Sequence, residues 1–134
     1  MRKAYVSDKE VLRISISDCL NNEISPGNIV AYSSGASLSF GVFEGVAKSM
    51  PYYYNKSKDY SYRIQLCIIS YSGKVRRQLL GRLNLIDGEF TKAKNMVVIN
   101  NPLYFLDNSD LAKCLEAIDL LKEEGHLPQD FKVK

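Results

Sequence analysis

The alternation of apolar and polar residues along the first hundred positions is typical of short β-strands. Strands are predicted where apolar residues alternate with polar ones or form short runs, at Asn28–Ser33, Ser37–Val46, Tyr60–Tyr71, Lys74–Ile86 and Met96–Ile99. Serine and glycine between the first two, and Ser72-Gly73 and Asp87-Gly88 further on, are turn signals. No helical period interrupts this region, so the pattern favours a sandwich or barrel over a βαβ fold.

Residues 7–20 carry two conflicting signals. Ser7 with Glu10 matches a helix-capping box. The alternating Leu12, Ile14 and Ile16 match a strand, and β-branched isoleucine prefers strands. We therefore expect a strand over Val11–Ser17.

Two glycines in the Ser37–Val46 strand predict strong curvature. Alternation puts Leu38, Phe40, Val42 and Val46 on one face, and Gly41 and Gly45 on the other. Glycine inside a strand marks a sharp bend or the close approach of another backbone. Two of them four residues apart predict a strand that coils across a small barrel.

The C-terminal segment has a different period. Apolar residues recur at helical spacing from Leu111 to Leu121, with Asn108 or Ser109 as a cap and Gly125 as a stop. An amphipathic helix is predicted over Ser109–Glu124. The expected fold class is mainly β with a C-terminal α-helix (α+β), with residues 1–106 forming a small antiparallel barrel of five or six strands. Residues 107–134 form the helix and tail packed on it; the apolar stripe could instead make a homodimer contact.

Size and composition fit one globular domain. The chain has 134 residues, of which 46% are hydrophobic and 25% charged. Its three cysteines are far apart and form no CxxC pair, which argues against a disulfide framework or a zinc site. Neither a signal peptide nor a membrane-spanning apolar run is present, so a cytoplasmic location without membrane contact is expected.

A family likeness covers about residues 25–100. The run Pro26-Gly27-Asn28-Ile29-Val30, then Gly35, then Phe40-Gly41-Val42, resembles the opening of SH3-like small barrels of the KOW or Tudor kind. Small uncharacterised phage proteins are similar in plan and end in a short strand like Met96–Ile99. The resemblance implies an SH3-like barrel and, for a phage protein, the host cytoplasm. The turn at residues 33–37 departs from KOW domains because it has no basic residue.

Positive charge is concentrated in the middle of the chain. Residues 45–94 hold ten basic and three acidic residues, a local charge of +7, although the whole chain carries only +3. Alternation places Lys74, Arg76 and Arg82 on one strand face, at a spacing near that of successive phosphates. The competing interpretation is an ordinary solvated face of a sheet.

Tyrosines are interleaved with these cations. Tyr52, Tyr53 and Tyr54 lie beside Lys56, Lys58 and Arg63. Bases of single-stranded nucleic acid stack on such rings while cations hold the backbone. The same composition also suits a protein–protein contact or a cover for the end of the barrel.

The motifs of common enzymes are absent, so we expect a non-catalytic protein with neither cofactor nor metal. Three functions remain open. The first is single-stranded DNA or RNA binding through the basic, Tyr-rich face. The second is a phage or mobile-element module that docks on a host or virion protein, and the third is a barrel that binds a small ligand or nucleotide.

Overall fold

The computed structural model describes residues 10–49 and 60–133, which form a mainly β protein with a C-terminal helix. The strands are β1 (Glu10–Leu12), β2 (Ile16–Ser17), β3 (Glu23–Ile24), β4 (Ile29–Ser34), β5 (Ser37–Ser49), β6 (Ser61–Ile69), β7 (Val75–Leu83), β8 (Leu85–Ile86), β9 (Glu89–Phe90) and β10 (Met96–Val98). The helices are α1 (Pro102–Phe105) and α2 (Asn108–Glu123). The predicted α+β class is confirmed.

The main sheet is antiparallel and open. Its strand order is β10-β4-β5-β6-β7, and β1 pairs with the far half of β5. Among the described residues β10 and β7 do not pair with each other, so the predicted closure into a barrel is not seen. One reason is that the outer edge of β10 is already occupied. The carbonyl of Met96 accepts from Cys19, and the amide of Val98 donates to the buried Asp18 carboxylate.

A β-bulge bends β5 and changes which residues share a face. Its pairing with β6 shifts between Phe43 and Gly45. Val42 and Val46 therefore lie on opposite faces, and their predicted common face is wrong because the extra residue shifts the alternation. Gly45 has a φ of +154°, and a Cβ there would lie 2.4 Å from the Leu12 carbonyl oxygen. The predicted close approach of a backbone is confirmed at this glycine.

The sheet buries an apolar cluster on each face. The hairpin face, which includes Val30, Val46 and Leu66, is covered by Ile16 and Ile24 of the β2–β3 hairpin. The opposite face, here called the helix face, includes Ile29, Val42 and Cys67 and is covered by α2. Both clusters use the same strands.

Helix α2 covers the sheet with the apolar stripe that the sequence predicts. Cys114, Ala117, Ile118 and Leu121 are buried. Asp107 caps the helix by accepting a 2.9 Å hydrogen bond from the Asp110 amide, one residue earlier than predicted. The stripe packs on the chain's own sheet, so a homodimer through α2 would need the outer side of the helix. No helix in the described ranges is long and apolar enough to cross a membrane.

The N-terminal ambiguity resolves as two short strands in the described part of residues 7–20. β1 and β2 are separated at residues 13–15, where the chain departs from β5. Arg13 in this break donates to Glu44 at 3.1 Å. The single strand predicted over Val11–Ser17 is thus interrupted, and no helix forms over residues 10–17.

Candidate functional site

Strands β5 and β6 separate at one end and leave a cleft. They pair from Ser49–Ser61 up to Val42–Cys67, and no pair follows. Beyond that point residues 37–41 of β5 pair only with β4, and residues 68–69 of β6 pair only with β7. The cleft between the two ends has a volume of about 390 Å³.

The free edge of β5 directs backbone groups into this cleft. The Phe43 amide donates to Asn28, and its carbonyl accepts from Gly27, so both groups point away from β6. Backbone groups alternate in direction along a strand, so those of Phe40 and Leu38 point toward β6. Ser70 donates to Lys74 on the β7 side, so the neighbouring Ile69 groups point back toward β5. No described strand lies opposite Phe40 or Leu38 on this side.

Gly41 forms part of the cleft lining and brings the two sides together. A Cβ at Gly41 would lie 3.1 Å from Cγ1 of Ile68 and 3.3 Å from Cδ1 of Leu66. Contacts this short are tight, so a larger residue would push Ile68 outward. The bare backbone lets β6 side chains pack close to β5 just beyond the last strand pair.

Polar and cationic groups line the hairpin-face side of the cleft. Arg76 and Gln78 pair with Ile68 and Leu66, which places them on that face. Burial raises the pKa of Tyr32, while a hydrogen bond with Ser39 and the nearby charge of Arg76 act in the opposite direction. The Arg76 guanidinium therefore acts across the cleft on a residue of β4.

Aromatic groups line the helix-face side. The Lys113 ammonium nitrogen lies 3.9 Å above the Tyr71 ring centre, and Tyr71 is 98% exposed. Phe40 packs on the helix-face cluster beside Cys114. Burial and the neighbouring Asp107 raise the pKa of Asp110, and Lys113 partly offsets this. One aromatic ring thus stands free at the mouth with a cation above it.

The structure divides the sequence-predicted site residues between two places. Arg76 lines the cleft, and Lys74 lies beside it in the turn before β7. Arg63 and Arg82 lie at the opposite end of the β6–β7 pair, about 20 Å away given the strand rise. The remaining candidates fall outside the described residues: Tyr52, Tyr53, Tyr54, Lys56 and Lys58.

A second bulge explains why Arg82 does not share a face with Arg76. Ile64 pairs with Leu80, but Tyr62 pairs with Leu83, so β7 holds one extra residue. Gly81 has a φ of +57°, which suits such a bulge. Leu83 takes the inward position that strict alternation assigns to Arg82, and it is buried. The prediction of one basic face with Lys74, Arg76 and Arg82 is wrong for this reason.

Sequence reasoning missed a buried charge cluster around Glu44. Its carboxylate is 3% exposed and accepts from Arg13 at 3.1 Å, Arg77 at 2.9 Å and Gln65 at 3.1 Å. Arg77 also donates to Glu124 near the end of α2. Burial lowers the pKa of Arg77, but the bonds to Glu124 and Glu44 outweigh it, and the net direction is upward.

The Glu44 cluster ties the sheet to α2 and leaves the carboxylate without a free side. Both of its oxygens have arginine or glutamine partners, so it offers neither a metal nor a proton-transfer site. The sequence feature that could have revealed this cluster is the single glutamate within the apolar run of residues 40–47.

The buried thiols are poor nucleophiles. Burial raises the pKa of Cys67 to about 11 and that of Cys114 to about 12. At neutral pH both are therefore protonated. Within residues 10–49 and 60–133, no group of three or more His, Cys, Asp or Glu side chains could hold a metal ion.

Comparison of the chain with protein-family models, with curated proteins and with solved structures gave no match.

Proposed function

We propose that this protein is a non-catalytic interaction module that binds an extended segment of a protein partner. The segment adds as a strand to the free edge of β5 inside the cleft. The observation that carries this proposal is the separation of β5 and β6 after Val42–Cys67, which leaves the backbone groups of Leu38 and Phe40 directed toward open space.

Unpaired strand edges favour a polypeptide as the ligand. Main-chain hydrogen bonds to a sheet edge supply affinity, and side chains on alternating sides supply specificity. The free edge runs from Ser37 to Gly41, and the cleft volume is within the range of small recognition sites. Leu38 is 67% exposed, so its position on this edge is accessible to a partner.

The SH3-like relationship is also part of the proposal. It is supported by a strongly bent antiparallel sheet in which one long strand, β5, pairs with β4 and β1 on the same edge. The bulge after Phe43 supplies the bend. A host or virion protein as the partner, and a cytoplasmic location, likewise belong to this proposal.

Single-stranded nucleic acid is a second candidate, because a specific observation favours it. Tyr71 stands exposed with Lys113 above its ring, and Arg76 and Lys74 lie at the same end of the molecule. Such groups suit base stacking and phosphate contact. Against it, the structure separates Arg63 and Arg82 from this end, so the cations among the described residues do not form one continuous track.

A backbone-directed experiment tests strand addition without altering the protein. Peptides that bind are first selected from a random library, and the best is then resynthesised with N-methyl groups on alternate amides. Methylation along one edge should lower affinity at least tenfold, because it removes the donors facing β5, while methylation along the other edge should be tolerated. Equal tolerance on both edges, or no peptide enriched over background, would contradict the proposal.

A short oligothymidine serves as the competitor in the same assay. If it binds with an affinity that falls linearly with the logarithm of salt concentration, and no peptide binds, the nucleic-acid candidate replaces the peptide. If the oligothymidine does not bind, the peptide is the supported ligand only when methylation lowers affinity along one of its edges and not the other.

A further inference from the structure

The two sides of the cleft differ in chemistry, and a strand added there would meet both. Alternate side chains of a strand point to opposite faces of its sheet. One set would face Arg76, Gln78 and the Ser39 hydroxyl on the hairpin face. The other set would face Phe40, Tyr71 and α2 on the helix face.

We propose that the segment bound in the cleft alternates acidic and apolar residues. This rests on the proposed strand addition and deepens it by naming the partner's chemistry. Arg76 lies beside Lys74, and residues 70–80 hold three basic residues and no acidic one. The third, Arg77, is bound by Glu44. Carboxylates on the hairpin-face side would therefore meet unopposed positive charge.

The helix-face side selects the apolar half of the pattern. Phe40 is partly exposed and packs on the buried helix-face cluster, so it continues an apolar surface from the core into the cleft. The single ammonium there, that of Lys113, is held over Tyr71 and lies near Asp110. An apolar side chain between Phe40 and Tyr71 would be sheltered from water on two sides.

Arg77 is bound by Glu44 and is therefore not free to contact this ligand. Arg77 pairs with Cys67, so it points to the helix face, where Glu44 and Glu124 bind it. Arg76 is the neighbouring residue with the opposite direction and appears in no salt bridge among the described residues. Of the two adjacent arginines, the structure leaves Arg76 to contact a partner.

Two peptides of identical composition test the pattern with the full-length chain. One is a Glu-Val repeat, and the other has its glutamates and valines in two separate blocks; a Lys-Val repeat is the charge control. Binding is measured by isothermal titration calorimetry and by amide hydrogen exchange at Leu38 and Phe40. We expect the Glu-Val repeat to bind at least tenfold more tightly than either of the other two and to protect both amides.

Arg76→Glu and Arg82→Glu form a matched pair on β7. Arg76→Glu should lower the affinity for the Glu-Val repeat at least tenfold and raise the affinity for the Lys-Val repeat. Arg82→Glu has the same charge change and should alter the affinity less than twofold, because Arg82 lies at the far end of the strand.

The outcomes separate the two proposals. If the repeat and the block peptide bind equally and both protect Leu38 and Phe40, the alternating pattern is overturned and strand addition stands. If peptides bind without protecting those amides, strand addition itself is overturned, and the pattern with it. Binding of oligothymidine alone, weakened by Arg76→Glu, would overturn both in favour of nucleic acid.

Discussion

Strands β5 and β6 are paired at one end and separated at the other. From Val42–Cys67 to Ser49–Ser61, β5 and β6 are paired, and β1 packs on Gly45. From Leu38 to Gly41 the β5 edge that faces β6 is unpaired, although the same strand continues. The paired end holds a buried carboxylate with all its partners in place, whereas the open end holds Arg76 and Tyr71 with room around them.

The paired end contributes stability, and the open end is accessible to a partner. Polar groups buried with full partners rigidify a core, and unpaired strand edges at a surface invite another chain. At the paired end, Glu44 keeps the helix-face direction of Val42 and meets Arg77, while the bulge moves Val46 to the hairpin face. Separation of the two strands beyond Val42 leaves the backbone edge of β5 accessible at the open end.

The largest expected effect comes from closing the space at the paired end. Gly45→Ala would place a Cβ 2.4 Å from the Leu12 carbonyl oxygen at a positive φ, and should destabilise the fold by roughly 3 kcal/mol or more. Gly35→Ala is the control, because Gly35 also has a positive φ but no neighbour within 4 Å. It should cost only about 1 kcal/mol. Urea unfolding measures both, and equal costs would show that β1 does not press on Gly45.

The next effect tests whether the Glu44 cluster stabilises the paired end. Glu44→Gln removes the charge that Arg13 and Arg77 face, and should cost about 2 kcal/mol, less than a fully buried pair because both arginines are partly exposed. Glu124→Gln alters a more exposed partner of Arg77 and should cost under about 1 kcal/mol. Denaturant unfolding of the two variants should show this order, and the reverse order would contradict a central role for Glu44.

A smaller effect is expected at the open end, and on binding rather than stability. Arg76→Glu is an exposed change and should shift the free energy of unfolding by under about 0.5 kcal/mol. Its loss of affinity for a bound acidic peptide should nevertheless be at least tenfold. Thermal denaturation beside calorimetric titration separates the two readouts. A variant that unfolds easily but binds normally would place Arg76 in the stabilised region instead.

One more effect appears only at alkaline pH and concerns the buried thiols. Burial raises the pKa of Cys67 to about 11 and of Cys114 to about 12, above the ordinary value of 9. The native state therefore holds these protons where the unfolded chain releases them. This contribution is complete below pH 9 and is lost as pH rises through 11 to 12, by about 1.4 kcal/mol per pH unit for each thiol.

The control for this pH effect is the double variant Cys67→Ala with Cys114→Ala. Its free energy of unfolding should be lower overall but should fall less steeply between pH 9 and 11, as followed by urea unfolding at each pH. Parallel slopes for the two proteins would show that other groups cause the alkaline loss.

Periodicity predicted the strand regions and α2 but failed at the bulges. Each of the shifts at Gly45 and Gly81 adds one residue, and one residue moves every later side chain to the other face. The faces predicted for Val46 and Arg82 are wrong for this reason. Local sequence pattern could not predict the open sheet either. The edge of β10 is occupied by Asp18, which is eighty residues from Val98 in sequence.

The candidate site was predicted in part. Arg76 and Lys74 do lie at the cleft, and their type and alternation had marked them. The cleft itself depends on where pairing between β5 and β6 stops, and on α2 bringing Lys113 over Tyr71. Those are contacts between distant segments, which period-two reasoning along a single strand does not reveal.

Residue-resolved amide hydrogen exchange reports on the free edge of β5 itself, residue by residue. In the free protein, the amides of Leu38 and Phe40 should exchange quickly, while those of Ser39 and Gly41, which face β4, should be protected. A bound Glu-Val repeat should slow Leu38 and Phe40 and leave the other two unchanged. Equal protection of all four amides in the free protein, or no response at Leu38 and Phe40 when the peptide binds, would contradict strand addition at this edge.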